Sequence, residues 1–397
     1  MNYQVKISEK ISWIGANDRR KHLFENMWPL PQGVAYNSYL ITDEKTALLD
    51  TIDTSVAADY LDQVSEQLQG RSLDYLIINH MEPDHAGMIG SLVKRFPKIQ
   101  IVGNAKTFKM LESYFGISEN LLEVKDGDTL DLGYHKLKFV FTPWVHWPET
   151  MITYDTTEQI IFSADAFGSF GTLDGGIFDD EVNTDYYVDE TRRYFSNIVG
   201  QYSNMVQKAL AKLKGVPVRI ICPTHGLIWR SNPSKIIDMY DRWSKYESQA
   251  GVVIAFASMY GNTEKMADYI ARRLAEQGIR EVRVFDVSKT HISFLISEIW
   301  KYSGLILGSC AYNSNAHPMM EQLCRELLHI KPQNKHIGVF GSGSWNGGGV
   351  RSISKTLEEL GWSQVSDAVE IFGNPTHDKV ADCNKLAAAM AKSIQTI

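Results

Sequence analysis

The chain has 397 residues, 44% of them hydrophobic and 22% charged, with a formal net charge of -7; that length exceeds what one hydrophobic core usually supports, so at least two folded domains are expected. The composition is that of an ordinary globular protein, without a linker-like Pro, Gly or Ser tract. A modest negative charge with no Lys/Arg cluster argues against nucleic acid or an anionic membrane surface as partner. No apolar leader core or membrane-length apolar run is seen, so the cytoplasm is the expected location.

In chain order, strand-like runs at VAYNSYLI and TALLDT come first, then a helix from Val56 to Leu68 and a strand in LDYLIINH. Short strands at IQIVG, KLKFVFT and QIIFSA then mix with helices, which predicts a mixed sheet sandwich flanked by helices. Around Gly251 the polar helical stretch DRWSKYESQ gives way to the continuous apolar run GVVIAFA. The boundary between a domain of residues 1–250 and one of residues 251–397 is placed there. Beyond it, strands at GVVIAFA, EVRVFDV, GLILGS, HIGVFG and AVEIF alternate with helices, the first carrying Met266, Ile270 and Leu274 on one face. Such alternation predicts a doubly wound parallel five-stranded sheet. The cysteines Cys222, Cys310, Cys324 and Cys383 stand singly, without a CxxC pair, and read as small buried hydrophobes.

Two constellations carry chemistry. The strand LDYLIINH runs into MEPDHAG, which places His80, Glu82, Asp84 and His85 within one strand-end loop. Three more ligand-type residues each follow an apolar run: His146 after KLKFVFT, Asp165 after QIIFSA and His225 after RIICPT. Strand ends of one sheet rim can bring all seven together, enough for two cations. The remaining histidines outside such contexts, His135 and His291 among them, read as structural or solvated.

The second constellation is the loop SMYGNTEKMA after the first strand of the second half. Its hydroxyl, amide and glycine residues Ser258, Met259, Tyr260, Gly261, Asn262 and Thr263 lead into a helix whose N-terminus suits a phosphate. It lacks the Gly-Lys-Ser/Thr of a P-loop and the GxGxxG of a dinucleotide loop; in GSGSWNGGGV the last such glycine is replaced by Asn346. Two further strand-end loops, SCAYNSNAHP and GSGSWNGGG, supply Ser309, Tyr312, Asn313 and Asn315, then Ser342, Gly343, Ser344, Trp345, Asn346, Gly347 and Gly348. Glycines there allow close backbone approach to a ligand.

These three loops resemble the flavodoxin signature, which implies FMN bound at the switch point of the sheet, with Tyr312 and Trp345 beside the ring. HxExDH followed by His, Asp and His at strand ends resembles the HxHxDH pattern of the metallo-β-lactamase superfamily, with Glu82 in the slot of a histidine. Glu82, VHWPET and PTHGLIW together resemble the flavodiiron proteins over essentially the whole chain. The resemblance implies a metallo-β-lactamase-like αββα sandwich fused to a flavodoxin-like domain, with FMN and two iron ions as cofactors. It also implies reduction of dioxygen to water, of nitric oxide to nitrous oxide, or both.

Carried over residue by residue, His80, Glu82 and His146 would bind one iron and Asp84 and His225 the other, with Asp165 bridging. His85 stands open between ligand and orienting hydrogen-bond donor, because family members differ at that position. Asp165, His85, Tyr194 and Trp147 are expected nearest the chemistry, with Phe24 and Trp28 in segments that line such pockets. The resemblance further implies a head-to-tail homodimer or a dimer of dimers, in which the FMN of one subunit faces the irons of another. Electrons would come from rubredoxin or another small carrier, since this sequence shows no rubredoxin-like domain. A competing reading is a metal-dependent hydrolase fused to a flavodoxin-like domain, against which Glu82 and Asp84 count.

Overall fold

A computed structural model describes residues 5–395, which divide after Ser244 into two compact units. The first is built on two sheets. One has seven strands in the order Val5–Lys6, Ile11–Trp13, Tyr39–Thr42, Thr46–Leu49, Tyr75–Ile77, Gln100–Gly103, Leu121–Glu123; the other has five, Thr129–Asp131, Lys136–Phe141, Met151–Asp155, Ile160–Phe162, Ile220–Cys222. Leu40, Leu48 and Leu76 of the first sheet and Leu137, Phe139 and Ile161 of the second are fully buried, and Tyr39 meets Phe162 with ring centroids 5.3 Å apart. Asn79 links the sheets at one end, accepting from Thr153 Oγ1 at 2.7 Å while its own side chain donates to Asp50 at 2.9 Å. Amphipathic helices cover the outside: Tyr60–Leu68, for example, turns Tyr60, Val64 and Leu68 inward.

Two expectations shift here. The run VAYNSYLI is two strands, Val34–Tyr36 and Tyr39–Thr42, because the chain leaves one sheet for another at Asn37–Ser38. Asn37 pays no penalty for this break, since its amide donates to the carbonyls of Pro223 and Gly226 at 2.9 and 3.0 Å. The helix expected from Val56 starts at Tyr60; Asp53 caps a short 3-10 turn over Thr54–Val56 instead, accepting from Ser55 N.

The second unit holds five parallel strands in the order Val282–Asp286, Gln249–Ala257, Tyr302–Tyr312, His336–Gly343, Val369–Phe372, with Asn315–Ala316 paired antiparallel to the third. In sequence order this is 2-1-3-4-5, the flavodoxin-like arrangement. Met266, Ile270 and Leu274 of the helix Asn262–Glu276 are fully buried in its core. The first strand begins at Gln249 rather than Gly251, and the preceding segment belongs to this unit: Tyr246 packs on Trp300 at 5.3 Å and Ser248 accepts from Lys335 Nζ at 2.6 Å. All four cysteines are free and buried. His135 is buried with Nδ1 2.9 Å from Asp155, and His291 caps the helix Ile292–Lys301.

Candidate functional site

The strand Tyr75–Ile77 ends just before His80, and Pro83 opens a one-turn helix, Pro83–Ala86, with Glu82 as its extended N-cap. Proline at the first helical position costs no hydrogen bond. The turn has a chemical consequence: it aims Glu82 back toward His80 and sends Asp84 and His85 to the other side. Two groups of buried ligand atoms result, His80, Glu82, His146 and Asp165 in one, Asp84, His85 and His225 in the other, the atoms of each lying within 4.8 Å of one another.

Distances define the site. Glu82 Oε2 is 3.0 Å from His146 Nε2 and 3.3 Å from His80 Nε2, while Asp84 reaches His225 Nε2 at 3.2 Å through Oδ2 and His85 Nε2 at 3.3 Å through Oδ1. Asp165 stands between the groups. Its Oδ2 is 3.0 Å from His146 and 3.4 Å from His80; its Oδ1 is 2.8 Å from His85 and 3.8 Å from His225. Thr224 Oγ1 donates to Oδ1 at 2.6 Å and fixes the carboxylate. The loop around Asp165 is itself tense, with Ala164 and Phe167 in the left-handed region at φ 51° and 70°, a conformation that persists in non-glycine residues only where surroundings enforce it. At Gly168 an added Cβ would lie 2.9 Å from the Asp165 carbonyl and 3.3 Å from the Tyr194 ring, so only glycine lets that ring close on the site.

Electrostatics follow from this crowding. Burial alone would lower the pKa of His80, but Asp165, Glu149 and Glu82 push it well above its usual value. Burial would likewise lower His85 and His146, yet Asp84 and Asp165 raise the first, and Asp165 and Glu82 the second, to about 9. Asp165, despite burial, is held far below the carboxylate range by His85, His80 and His146. Opposite charges balance, but five buried atoms, Asp84 Oδ1 and Oδ2, His85 Nδ1 and Nε2, and His225 Nε2, have no hydrogen-bond partner among the described residues. Each such atom costs about 1–3 kcal/mol if left so. Lone pairs converging from carboxylates and imidazoles are what cations satisfy, so the donor set fits two metal ions.

Aromatic rings wall the site. Trp147 lies 5.2 Å from His80, Phe24 5.4 Å and Tyr194 5.6 Å from His225, all centroid to centroid. The Tyr194 hydroxyl is buried without a partner among the described residues, and burial together with Asp165, Glu82 and Asp84 pushes its pKa well up. Trp28 acts one step removed: its indole N–H donates to Glu25 at 2.9 Å. Burial and then Glu82 raise the Glu25 carboxyl to about 7. Sequence reasoning passed over Glu25, Tyr36, Glu149, Phe170 and Thr224. Tyr36 packs 5.6 Å from His225 and Phe170 5.0 Å from Tyr194. Of these only Glu149 and Thr224 carried a signal, each lying within a motif quoted above.

In the second unit the strand-end loops enclose a cavity of about 500 Å³ lined by Met259, Tyr260, Tyr312, Asn313, Ser344, Trp345 and Asn346, together with Ala311 and Ser314. Tyr260 and Trp345 are each 92% exposed and free to stack on a planar ligand. Other expected residues support the loops from below. Thr263 Oγ1 and Ser342 Oγ are hydrogen-bonded at 2.8 Å, Ser309 Oγ accepts from His317 N at 2.9 Å, and Ser258 Oγ accepts from Gly261 N at 3.0 Å. Asn315 donates to the Asn313 carbonyl at 3.4 Å, and Gly348, at φ 151°, passes so close to Ser314 that no side chain fits; Gly343 and Gly347 are partly buried in the same loop. The first-turn amides of the helix Asn262–Glu276 lack intrahelical acceptors and point toward this edge, which fits a phosphate-bearing flavin.

An αββα unit with two adjoining groups of metal-ligand side chains, joined to a flavodoxin-like unit, defines a flavin-linked dinuclear metal oxidoreductase. Comparisons agree in both halves. Residues 34–226 match the ODP family beta lactamase model and residues 254–385 the Flavodoxin model. The chain is 31% identical over 394 residues to the anaerobic nitric oxide reductase flavorubredoxin of Escherichia coli, covering 98% of this chain and 82% of that one. It superposes on rubredoxin oxygen:oxidoreductase of Desulfovibrio gigas with a TM-score of 0.95, 29% identity and 99% coverage of both chains. A flavo di-iron protein mutant of Thermotoga maritima gives 0.91 and 28%, covering 99% of this chain and 98% of that one. The chain belongs to the flavodiiron protein family, whose cofactors are FMN and a diiron centre.

Proposed function

We propose that this chain reduces dioxygen to water, nitric oxide to nitrous oxide, or both, at two irons in the first unit. Electrons would pass through FMN in the second unit from rubredoxin or another small external carrier. The observation that carries the reading is the division of Asp165, one oxygen toward His80 and His146, the other toward His85 and His225. A carboxylate so divided is placed to serve two cations, and the oxygen atoms of Glu82 and Asp84 would favour iron over zinc. His80, Glu82 and His146 would hold one iron, Asp84, His85 and His225 the other, with Asp165 within reach of both. When bound, the irons supply a binding place and electrons for a diatomic gas, and the flavin supplies a two-electron store that empties singly.

The chain's own residues do the remaining work. Thr224 and the Ala35 carbonyl orient Asp165 and His225, at 2.6 and 2.7 Å. Phe24, Phe170 and Trp147 exclude bulk water, and Tyr194 keeps a neutral hydroxyl beside His225, ready to donate a hydrogen bond. Backbone amides of residues 258–263 would hold the flavin phosphate, with Tyr312 and Trp345 at the ring. The names of the E. coli and D. gigas relatives support both gases as substrates and a rubredoxin-type donor. A head-to-tail homodimer in the cytoplasm completes the reading; among the described residues no helix is long and apolar enough to cross a membrane.

The test is metal and flavin analysis of the purified protein, then anaerobic reduction followed by separate pulses of oxygen and nitric oxide. Two irons and one FMN per chain with consumption of either gas are expected. Zinc in both positions with no redox change would sink the reading and favour the hydrolase.

A further inference from the structure

Behind the first ligand group lies a buried carboxyl that belongs to neither group. Glu149 follows His146 by one helical-turn length of chain and is 1% exposed. Its Oε1 lies 2.8 Å from His80 Nδ1 and accepts from the Met81 backbone N–H at 3.0 Å, while Oε2 is buried without a partner among the described residues. The residue is pinned from outside: Asn104, cap of the helix Ala105–Phe115, donates to the Glu149 carbonyl at 2.6 Å. With Nδ1 of His80 donating to Glu149, the Nε2 lone pair is the one left to face Glu82 and Asp165.

Among the described residues no carboxylate is hydrogen-bonded to Nδ1 of either imidazole of the second group. His225 Nδ1 donates to the neutral Ala35 carbonyl at 2.7 Å, and His85 Nδ1 has no hydrogen-bond partner among the described residues. A carboxylate behind a ligating imidazole holds its orientation and raises its basicity more than an amide does, and a charge in a buried setting is weakly screened.

We propose that Glu149 is a positioning residue that makes the two metal pockets unequal, so that the pocket of His80, Glu82 and His146 binds its iron more tightly and holds the ion that loses an electron first. This rests on the diiron reading above. In a redox titration of the holoprotein that electron passes from ferrous iron to the mediator dye, leaving ferric iron in the His80 pocket and ferrous iron in the other.

Two variants separate the hydrogen bond from the charge. Glu149→Gln retains an oxygen acceptor for both donors and removes only the charge; Glu149→Ala removes both. Wild type and variants are loaded anaerobically with ferrous iron, then compared by iron affinity against a chelator, iron midpoint potentials and Mössbauer spectra, with FMN content as the check on folding. In Glu149→Gln two irons should remain, with one midpoint potential raised and one Mössbauer doublet moved. In Glu149→Ala one of the two irons should bind about 10- to 100-fold more weakly. The proposal is overturned if both variants keep both potentials and wild-type iron affinity, or if both irons change equally. Should Glu149→Ala lose FMN as well, it has misfolded, and Glu149→Gln alone decides. A wild-type protein that takes up no iron pair defeats the function proposed above; a wild type that does, beside unaltered variants, defeats only this inference.

Discussion

Glu82 puts a carboxylate in a slot where an imidazole would complete a zinc-hydrolase pattern, and its Oε2 is shared between His80 and His146 at 3.3 and 3.0 Å. Replacing it by histidine removes a negative charge from a group already crowded with imidazoles and offers a neutral nitrogen in its place. For Glu82→His we expect the zinc-to-iron ratio to rise and gas consumption per FMN to fall on the order of 100-fold, since ligand type selects the metal; unchanged iron content and turnover would show that Glu82 is not a ligand. Tyr194 poses the opposite case, a buried hydroxyl that has no partner among the described residues. Deleting it relieves a desolvated polar group, so Tyr194→Phe should leave the thermal midpoint unchanged or stabilise the first unit by up to about 1 kcal/mol. If the hydroxyl donates to the reacting gas, turnover at saturating donor falls in the same variant. A loss of stability together with unchanged turnover would assign the hydroxyl to a structural hydrogen bond instead.

At the scale of elements, the apolar runs that end at His80, His146, Asp165 and His225 were legible in the sequence, because buried strands leave a signal in composition that needs no knowledge of partners. The break at Asn37–Ser38 was not, since its partners Pro223 and Gly226 lie far along the chain; the bond from Glu149 to His80 was hidden for the same reason, spanning 69 residues. The loop behind the strand Ile220–Cys222 shows another such device. Asp179 is buried and accepts backbone N–H bonds from Arg230 and Ser231 through Oδ1, and from Asn232 and the Ser231 hydroxyl through Oδ2, at 2.7 to 3.0 Å, just ahead of the helix Pro233–Ser244. Burial would raise its pKa, but these donors hold it below the usual value. A depressed carboxylate stabilises above its unfolded pKa, about 3.9, and loses that contribution as pH falls through the folded value. Asp179→Asn keeps one acceptor and turns the other into a donor. Its Ser231 and Asn232 amides should therefore exchange with solvent about tenfold faster than wild type at pH 7, for a loss near 1.4 kcal/mol. The ratio should close toward one below about pH 4; a ratio independent of pH would mean the aspartate charge contributes nothing.

For the whole molecule, the proposed head-to-tail dimer makes a quantitative claim about which flavin serves which irons. Leu23 and Met27 beside the metal site, and Met259, Tyr260 and Trp345 around the flavin cavity, are exposed apolar side chains of the kind that subunit contacts cover. Two variants, each disabled at one cofactor, put the claim to the test. Asp165→Ala takes away the bridging carboxylate and leaves the second unit intact. Asn262→Asp puts a carboxylate at the N-terminus of the helix Asn262–Glu276, where it favours the helix but repels a phosphate. Alone, each should consume no gas. Co-expressed in equal amounts, they assemble heterodimers as about half of all dimers, and in each heterodimer one intact flavin faces one intact iron pair, so activity should return to about a quarter of wild type. If electrons instead passed within a chain, no chain in the mixture would own both cofactors and activity would stay at zero. Tandem affinity tags that isolate the heterodimer sharpen the contrast, because its activity should then rise to about half that of the wild-type dimer.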